Sequence, residues 1–404
     1  MKLQSRLNTL KRQSGAGTPL QAPSATVSVA DRLHRARNSK TPHRVTDKAQ
    51  KDALLAKRMG GRLLCPGVIE VEQRMVLRSR HGRVSLHHLQ QAQLEFPEFS
   101  QLNPKKCLFF DTETTGLSGG TGTHVFMLGM GRIEGEEFVV RQLMLTSFSG
   151  ESAFLEASRA WLSEAECVVS FNGKCFDSPL LTSRFRLAGQ DNPSGEKPHI
   201  DLLYNVRRAF ADVWQDCRLS TTEKRLLGFK RVDDLPGAQA PEAWLAYVRF
   251  GDAGLLPRVA EHNYWDIVSL AALLVSVADV FERPYQYRAN VWRIARFYCE
   301  RGQLEKAKAM LELNRTKLDA DALLLLANIY RQLDHWDSAR GIWERLAATG
   351  CPLSFERLAK YFEHVKKDYR QALYYAEQLP ESSQRSYRVA RLHKRSGRPF
   401  MDTN

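Results

Sequence analysis

From residue 106 onward, short wholly apolar runs alternate with amphipathic stretches of helical length. Cys107-Leu108-Phe109-Phe110 has the pattern of a strand covered on both faces. His124 to Ile133 and Phe138 to Leu145 predict two further strands, with Gly135 turning between them. A helix over Glu151 to Leu162 leads to an apolar strand, Cys167 to Phe171. Then come a helix from Asp177 to Leu187 that stops at Gly189, and a strand His199 to Leu203. After Tyr204 the pattern is helical, interrupted at Gly228, Pro236, Pro241 and Gly251. A long helix from about Leu256 to Phe281 is closed by Pro284. A three-strand meander followed by alternating strands and helices predicts an α/β domain with a sheet of mixed direction over 105–283.

The flanks differ. In 59–104, Val68 to Val71 and Met75 to Leu77 suggest short strands and Ser85 to Leu94 a helix, a preface to the main domain. In 284–404 the strand signals stop and a repeat appears. Ala295, Ala327 and Ala359 recur, each followed three residues later by Tyr298, Tyr330 or Phe362. Gly302 and Asp334 hold the turn position, with Gly397 matching it after Ala390. Ala307, Ala339 and Ala372 mark the second helix, the last one residue late. Small residues at fixed offsets let paired helices pack closely, and the period is near that of the tetratricopeptide unit. An all-α helical-repeat domain is expected; a plain helical bundle is the alternative.

Charge changes the picture at one end only. Of the net +14, residues 1–60 hold 13 Lys/Arg against 3 Asp/Glu. Residues 1–58 are accordingly expected to be a basic, disordered arm that attracts polyanions, or a solvated tail. Leu3, Leu7 and Leu10 share a helical face with no acid before Asp31, which suits a short docking helix or a free tail, and a transit peptide has the same look. No apolar run reaches the roughly 18 to 20 residues of a bilayer span. The longest, Ile267 to Val280, carries Ser269, Ser276 and Asp279 and fits a buried helix, so no membrane partner is expected. Seven scattered cysteines with no CxxC point to reduced thiols and a cytoplasmic protein.

The candidate chemistry sits in three segments. In Phe109-Phe110-Asp111-Thr112-Glu113-Thr114-Thr115-Gly116-Leu117, strand alternation puts Asp111 and Glu113 on one face. Paired carboxylates raise each other's pKa, and a hard divalent cation such as Mg²⁺ or Mn²⁺ relieves the repulsion. Taken alone, such a pair is a common solvent-facing strand end. Asn172-Gly173-Lys174-Cys175-Phe176-Asp177 follows the next apolar strand, where Asp177 also suits an N-cap. In the long helix, His262 and Asp266 share a face one turn apart, with Asp266 amid apolar residues. Gly119-Gly120-Thr121-Gly122 fits a mobile loop, not a Walker-type phosphate loop.

In this order the three segments resemble the DEDD exonuclease superfamily of the ribonuclease H-like fold. Arg218 to Gly228, Arg231 to Gly237 and His262-Asn263 narrow the resemblance to the bacterial family typified by the YprB proteins, which carry C-terminal tetratricopeptide-like repeats. The resemblance implies that Asp111, Glu113, Asp177 and Asp266 hold two Mg²⁺ or Mn²⁺ ions roughly 4 Å apart for 3′→5′ hydrolysis of single-stranded DNA or RNA ends. It implies that Thr112, Thr115 and Leu117 grip the 3′-terminal nucleotide, and that Asn172 lies on the substrate side. The family's water-activating residue is a Tyr four before the last Asp or a His five before it. Here His262 stands four before and Glu261 five before, so His262 is the candidate general base or else a group that steadies Asp266. Phe176 fits a core residue, with base stacking as the alternative. Asp201 belongs to a core network or, like its neighbours His199 to Leu202, to a strand common in the superfamily. The competing function is a catalytically weak nucleic-acid-binding module whose repeats recruit a protein partner.

Overall fold

The computed structural model describes residues 43–396 except 91–92, 117–121 and 314. Leu3, Leu7, Leu10, Leu117, Gly119 to Thr121 and Gly397 lie outside the described residues, as does the basic arm up to residue 42.

The main sheet has seven strands: β1 (Arg62–Cys65), β2 (Val68–Val76), β3 (Cys107–Thr114), β4 (Val125–Glu134), β5 (Glu137–Leu145), β6 (Cys167–Ser170) and β7 (His199–Asp201). They lie in the order β1-β2-β5-β4-β3-β6-β7. From β1 to β3 every neighbour is antiparallel, whereas β6 runs parallel to β3 and β7 parallel to β6. The mixed sheet expected from the meander-then-alternation pattern is therefore present, and β3 is the strand where its two halves meet. Open sheets bind ligands beyond the carboxyl ends of strands at such a switch point.

Three expectations for the flanks need correction. Residues 59–104 are not a preface: they supply β1 and β2, and β2 pairs with β5 from Val68↔Leu145 to Val76↔Glu137. Glu72, Gln73 and Arg74 break its apolar run because they face solvent, and Glu70 is buried only because Arg62 (2.6 Å) and Arg141 ion-pair with it. The helix expected over Ser85 to Leu94 is a 3₁₀ turn, Leu86–Gln90, between two small two-stranded ribbons. At the amino end, residues 43–58 form helix α1 (His43–Arg58) rather than disordered chain. Its last two turns are held by burial of Leu55 and Ala56, while Asp52 accepts from Thr146 Oγ1 (2.8 Å) and Tyr247 Oη (2.6 Å).

The helices that place the site are α2 (Glu151–Glu164), α3 (Asp177–Leu187), α4 (Leu202–Phe210), α5 (Ala240–Phe250) and α6 (Leu256–Glu282). By length and composition α6 could cross a membrane, but most of it is buried and it is a core helix lying across β3, β4 and β5. Two glycines of β4 allow that approach. A Cβ at Gly129 would collide with the Asn263 amide and one at Gly131 with Ile267 and Phe138. The sheet separates two apolar cores. Cys107 and Phe109 join the one that holds most of α6, and Leu108 and Phe110 join the one that includes side chains of α2, α3 and α5.

The helical region follows as α7 (Val291–Glu300), α8 (Leu304–Glu312), α9 (Ala320–Gln332), α10 (Trp336–Ala347), α11 (Pro352–Tyr361), α12 (Tyr369–Glu377) and α13 (Ser383–Ser396). Ala295, Ala327 and Ala359, with Ala307, Ala339 and Ala372, are all fully buried. The late third unit has a physical cause: a π-turn, Phe362–Lys366, takes up one extra residue, so the left-handed turn residue is Lys367 (φ 55°). The α6-side core continues through Phe281, Ile294 and Tyr298 into the repeats without a break. All seven cysteines are free thiols, as the scattered spacing implied.

Candidate active site

Strand β3 is buried for its first half and half-buried from Asp111 onward, so the carboxylates emerge where the strand leaves the core. Asp111 and Glu113 continue the Phe109 face, toward α6, from which Asn263 and Asp266 project. Asn263 Nδ2 donates to Asp111 Oδ2 at 3.0 Å, and its own Oδ1 accepts from Gln142 Nε2 at 2.9 Å. Thr112, pointing to the other face, donates its hydroxyl to Asp177 Oδ1. Asp177 opens α3 after a loop in which Gly173 allows a close pass over Ser170 Oγ and Asp177 Oδ2. Asp201 pins that loop: buried, it accepts from the backbone N–H of Asn172 (2.7 Å), Lys174 (3.1 Å) and Leu203 (3.1 Å). Asn172 is left-handed (φ 69°), a conformation Asn tolerates better than most side chains.

The charges gather without enough compensation. Burial, then the charges of Asp266, Asp177 and Glu113, hold the Asp111 carboxyl well above the ordinary aspartate range. Burial and the Asp266 and Asp177 charges do the same to Glu113, with Arg231 pulling the other way. Asp177 is pushed up to about 6 by burial, against the Thr112 hydrogen bond. The guanidinium in the cluster is that of Arg231. It donates to Asp266 Oδ1 at 2.5 Å and to Glu223 Oε1 at 2.6 Å. Burial works against its charge, but Asp266 and Glu223 outweigh burial and its pKa is raised. His262 places Nδ1 2.8 Å from Asp234 Oδ1 and Nε2 3.4 Å from Asp266 Oδ2. Ligand atoms of Glu113, His262 and Asp266 lie within 4.8 Å of one another, close enough to share one metal ion. Carboxylate oxygens with one imidazole nitrogen are a donor set that suits a divalent cation.

The remaining candidates are placed as follows. Thr115 is tied to His124, its N–H donating to the His124 carbonyl and its Oγ1 accepting from the His124 N–H, both at 3.0 Å. Phe176 is exposed at the start of α3, so the core assignment fails.

Residues 108–278 match the RNase_H superfamily and residues 321–349 match a tetratricopeptide repeat. Over 316 residues the chain is 31% identical to "Uncharacterized protein YprB" of Bacillus subtilis (strain 168), spanning 72% of this chain and 76% of that one. The chain belongs to the YprB-like family of the ribonuclease H superfamily. Its first part has a nuclease-type fold and its second a tetratricopeptide repeat.

Sequence reasoning assigned no role to four residues of this YprB-like site: Arg231, Glu223, Asp234 and Asn263. Arg231 joins carboxylates that are far apart in sequence, which no local pattern reveals. Asn263 did leave a signal, since alternate glycines in an apolar strand mark a close approach by another element.

Proposed function

We propose that the ribonuclease H-like domain is a divalent-metal-dependent 3′→5′ exonuclease acting on single-stranded nucleic acid ends. The observation that carries this is the crowding of Asp111, Glu113, Asp177 and Asp266 at the end of β3, with the first three carboxyls pushed upward. Such a cluster opposes its own ionisation unless a cation joins it. Mg²⁺ or Mn²⁺ ions bound there, two in this reading, would neutralise the acids, acidify a water and stabilise the leaving 3′ oxygen. The chain's own groups do the rest. Asn263 orients Asp111, and Thr112 orients Asp177. Asp234 at Nδ1 of His262 fixes the imidazole so that Nε2 can take a proton from the attacking water. Thr115 and Asn172 would contact the 3′-terminal nucleotide, as the resemblance to the exonuclease superfamily implies.

Arg231 favours a second reading. Its charge already rests on Asp266, which lowers the cluster's need for a cation and suits a weak catalyst that binds nucleic acid, with the repeats recruiting a protein partner. The experiment is stepwise shortening of 5′-labelled single-stranded DNA and RNA with Mn²⁺ or Mg²⁺. Under the first reading the wild type shortens strands from the 3′ end, Asp111→Ala loses at least about a hundredfold in rate, and EDTA stops the reaction. Oligonucleotide binding by both proteins with shortening by neither establishes the second.

A further inference from the structure

Beside the acid cluster lies a cavity of about 1660 Å³, larger than the roughly 300 to 1,000 Å³ of small-ligand sites. Its walls come from the Arg80–Ser85 ribbon, the segment 214–231, the end of α6 and the linker into the repeats. Arg231, Glu223 and Asp234 line it too; Arg231 contacts Asp266, and Asp234 contacts His262. The cavity and the acid cluster therefore share a wall.

Its lining carries eight Arg/Lys and six Asp/Glu, yet the pairing is unequal. Four of the acids are engaged: Glu95 by Lys306, Asp279 by Arg283 and Tyr287, Glu223 by Arg231, and Asp234 by His262. By contrast Arg80, Arg83, Lys224, Arg225, Lys230 and Arg288 form no ion pair with a carboxylate among the described residues. Arg80 and Arg83 instead donate to backbone carbonyls, of Arg83 at 2.5 Å and of Arg225 at 3.1 Å. Arg225 also lies 5.4 Å from the ring centroid of half-buried Trp214, whose ring stacks on Phe210 at 3.9 Å. Phe229 and Tyr287 add two further rings to the lining. Six cations without an ion pair against two such acids, Asp216 and Glu282, interleaved with aromatic rings, are the chemistry that holds a polyanion whose bases can stack.

We propose that this cavity is the path of the single strand itself, holding the phosphates and bases next to the one at the acid cluster. The assignment rests on the reading that the cluster acts on nucleic acid. Lys224 and Lys230 are exposed and make no described hydrogen bond or ion pair, so reversing them leaves the packing intact.

The test is binding of a 5′-fluorescein 15-mer single strand in EDTA, by anisotropy across a salt series. Wild type, Lys224→Glu/Lys230→Glu and a control of equal charge change on the repeats, Arg370→Glu/Lys394→Glu, are compared. The cavity variant should lose on the order of tenfold in affinity and about 1.4 from the salt slope, for two lost phosphate contacts. The control should bind like wild type, and all three should melt together. An equal loss in the control, or wild-type binding by the cavity variant, overturns the proposal. A small phosphodiester, thymidine 5′-(p-nitrophenyl phosphate) with Mn²⁺, separates it from the nuclease reading. The cavity variant should hydrolyse it at the wild-type rate. Absence of hydrolysis by wild type with selective loss of binding in the cavity variant sinks the nuclease reading and leaves the cavity standing. Hydrolysis with no such loss does the reverse, and a wild type that binds no strand overturns both.

Discussion

The π-turn Glu223–Leu227 buries Glu223 against Arg231 and is closed by Gly228 at φ 63°; the π-turn Phe362–Lys366 buries Glu363 against Arg388 (3.2 Å) and Arg391 (2.6 Å) and is closed by Lys367 at φ 55°. The local device is the same in both: a buried glutamate in a widened helical turn, a guanidinium partner and a left-handed stop. The arginines differ in where they lead. Arg388 and Arg391 both come from α13, as does Arg395 at 3.7 Å, and among the described residues their carboxylate partner is Glu363, so this turn only clamps the last helix. Arg231 has a second side that reaches Asp266, and behind Glu223 stand Ser269 and His81, joined at 2.8 Å. One π-turn is therefore joined through its arginine to the acid cluster, and the other holds only the last helix.

Removing the two glutamates tests that difference with the largest effects. Glu223→Ala leaves Arg231 buried, with less compensation, and should cost about 3 to 5 kcal/mol in urea unfolding, along with strand shortening. Glu363→Ala should cost less, about 1 to 2 kcal/mol, because its arginines are partly exposed and can turn to water. Shortening should survive that second change. Equal loss of shortening in the two variants would break the comparison.

The acid cluster next to Arg231 gives a pH effect of intermediate size. A carboxyl whose folded pKa lies above its unfolded value binds protons more tightly when folded. Its contribution to stability is full below about pH 4 and is lost as pH rises through the folded pKa. For Asp177 that window closes at about 6, and Asp111 and Glu113 are displaced in the same direction by burial and the neighbouring acids. Asp111→Asn should therefore stabilise the metal-free protein by about 1 to 2 kcal/mol at pH 8, with the gain shrinking toward pH 4. Saturating Mn²⁺ should cancel the gain by stabilising the wild type more. Thermal melts at both pH values, with and without the ion, measure it; a gain that is the same at pH 4 and pH 8 would mean the cluster is not the cause.

How far these features were legible in the sequence follows from how locally each is encoded. Strands β3 to β6 announce themselves because both their faces are apolar or alternate cleanly. β2 is legible only as two separate short strands, Val68 to Val71 and Met75 to Leu77, because the exposed Glu72, Gln73 and Arg74 interrupt its apolar run, and its pairing partner lies on β5. The two π-turns are equally hidden: one extra residue shows only as a slip between Ala359 and Ala372, and nothing local marks Glu223. Of the site, the spacing of Asp111 and Glu113 places them on one face, and the helical turn between His262 and Asp266 does the same. Arg231 and Asn263 act across the fold: the glycines of β4 hint at Asn263, and the contacts of Arg231 with Glu223 and Asp266 leave no local signal.

The stops of the two π-turns give the smallest and cleanest test. Gly228 adopts its left-handed conformation without a Cβ, and a methyl there would meet only the flexible end of Arg83. Gly228→Ala should cost about 1 kcal/mol from backbone strain alone. Lys367 carries that strain in the wild type, so Lys367→Gly should gain about 0.5 kcal/mol, the relief being partly offset by the greater freedom of glycine in the unfolded chain. Both changes leave the glutamates in place, and urea unfolding reads both. Opposite signs are expected because the same backbone shape is met by glycine in one turn and by lysine in the other. A cost at both positions would mean that the Lys367 side chain contributes more to its turn than the left-handed backbone takes away, and the two turns would then differ in construction as well as in use.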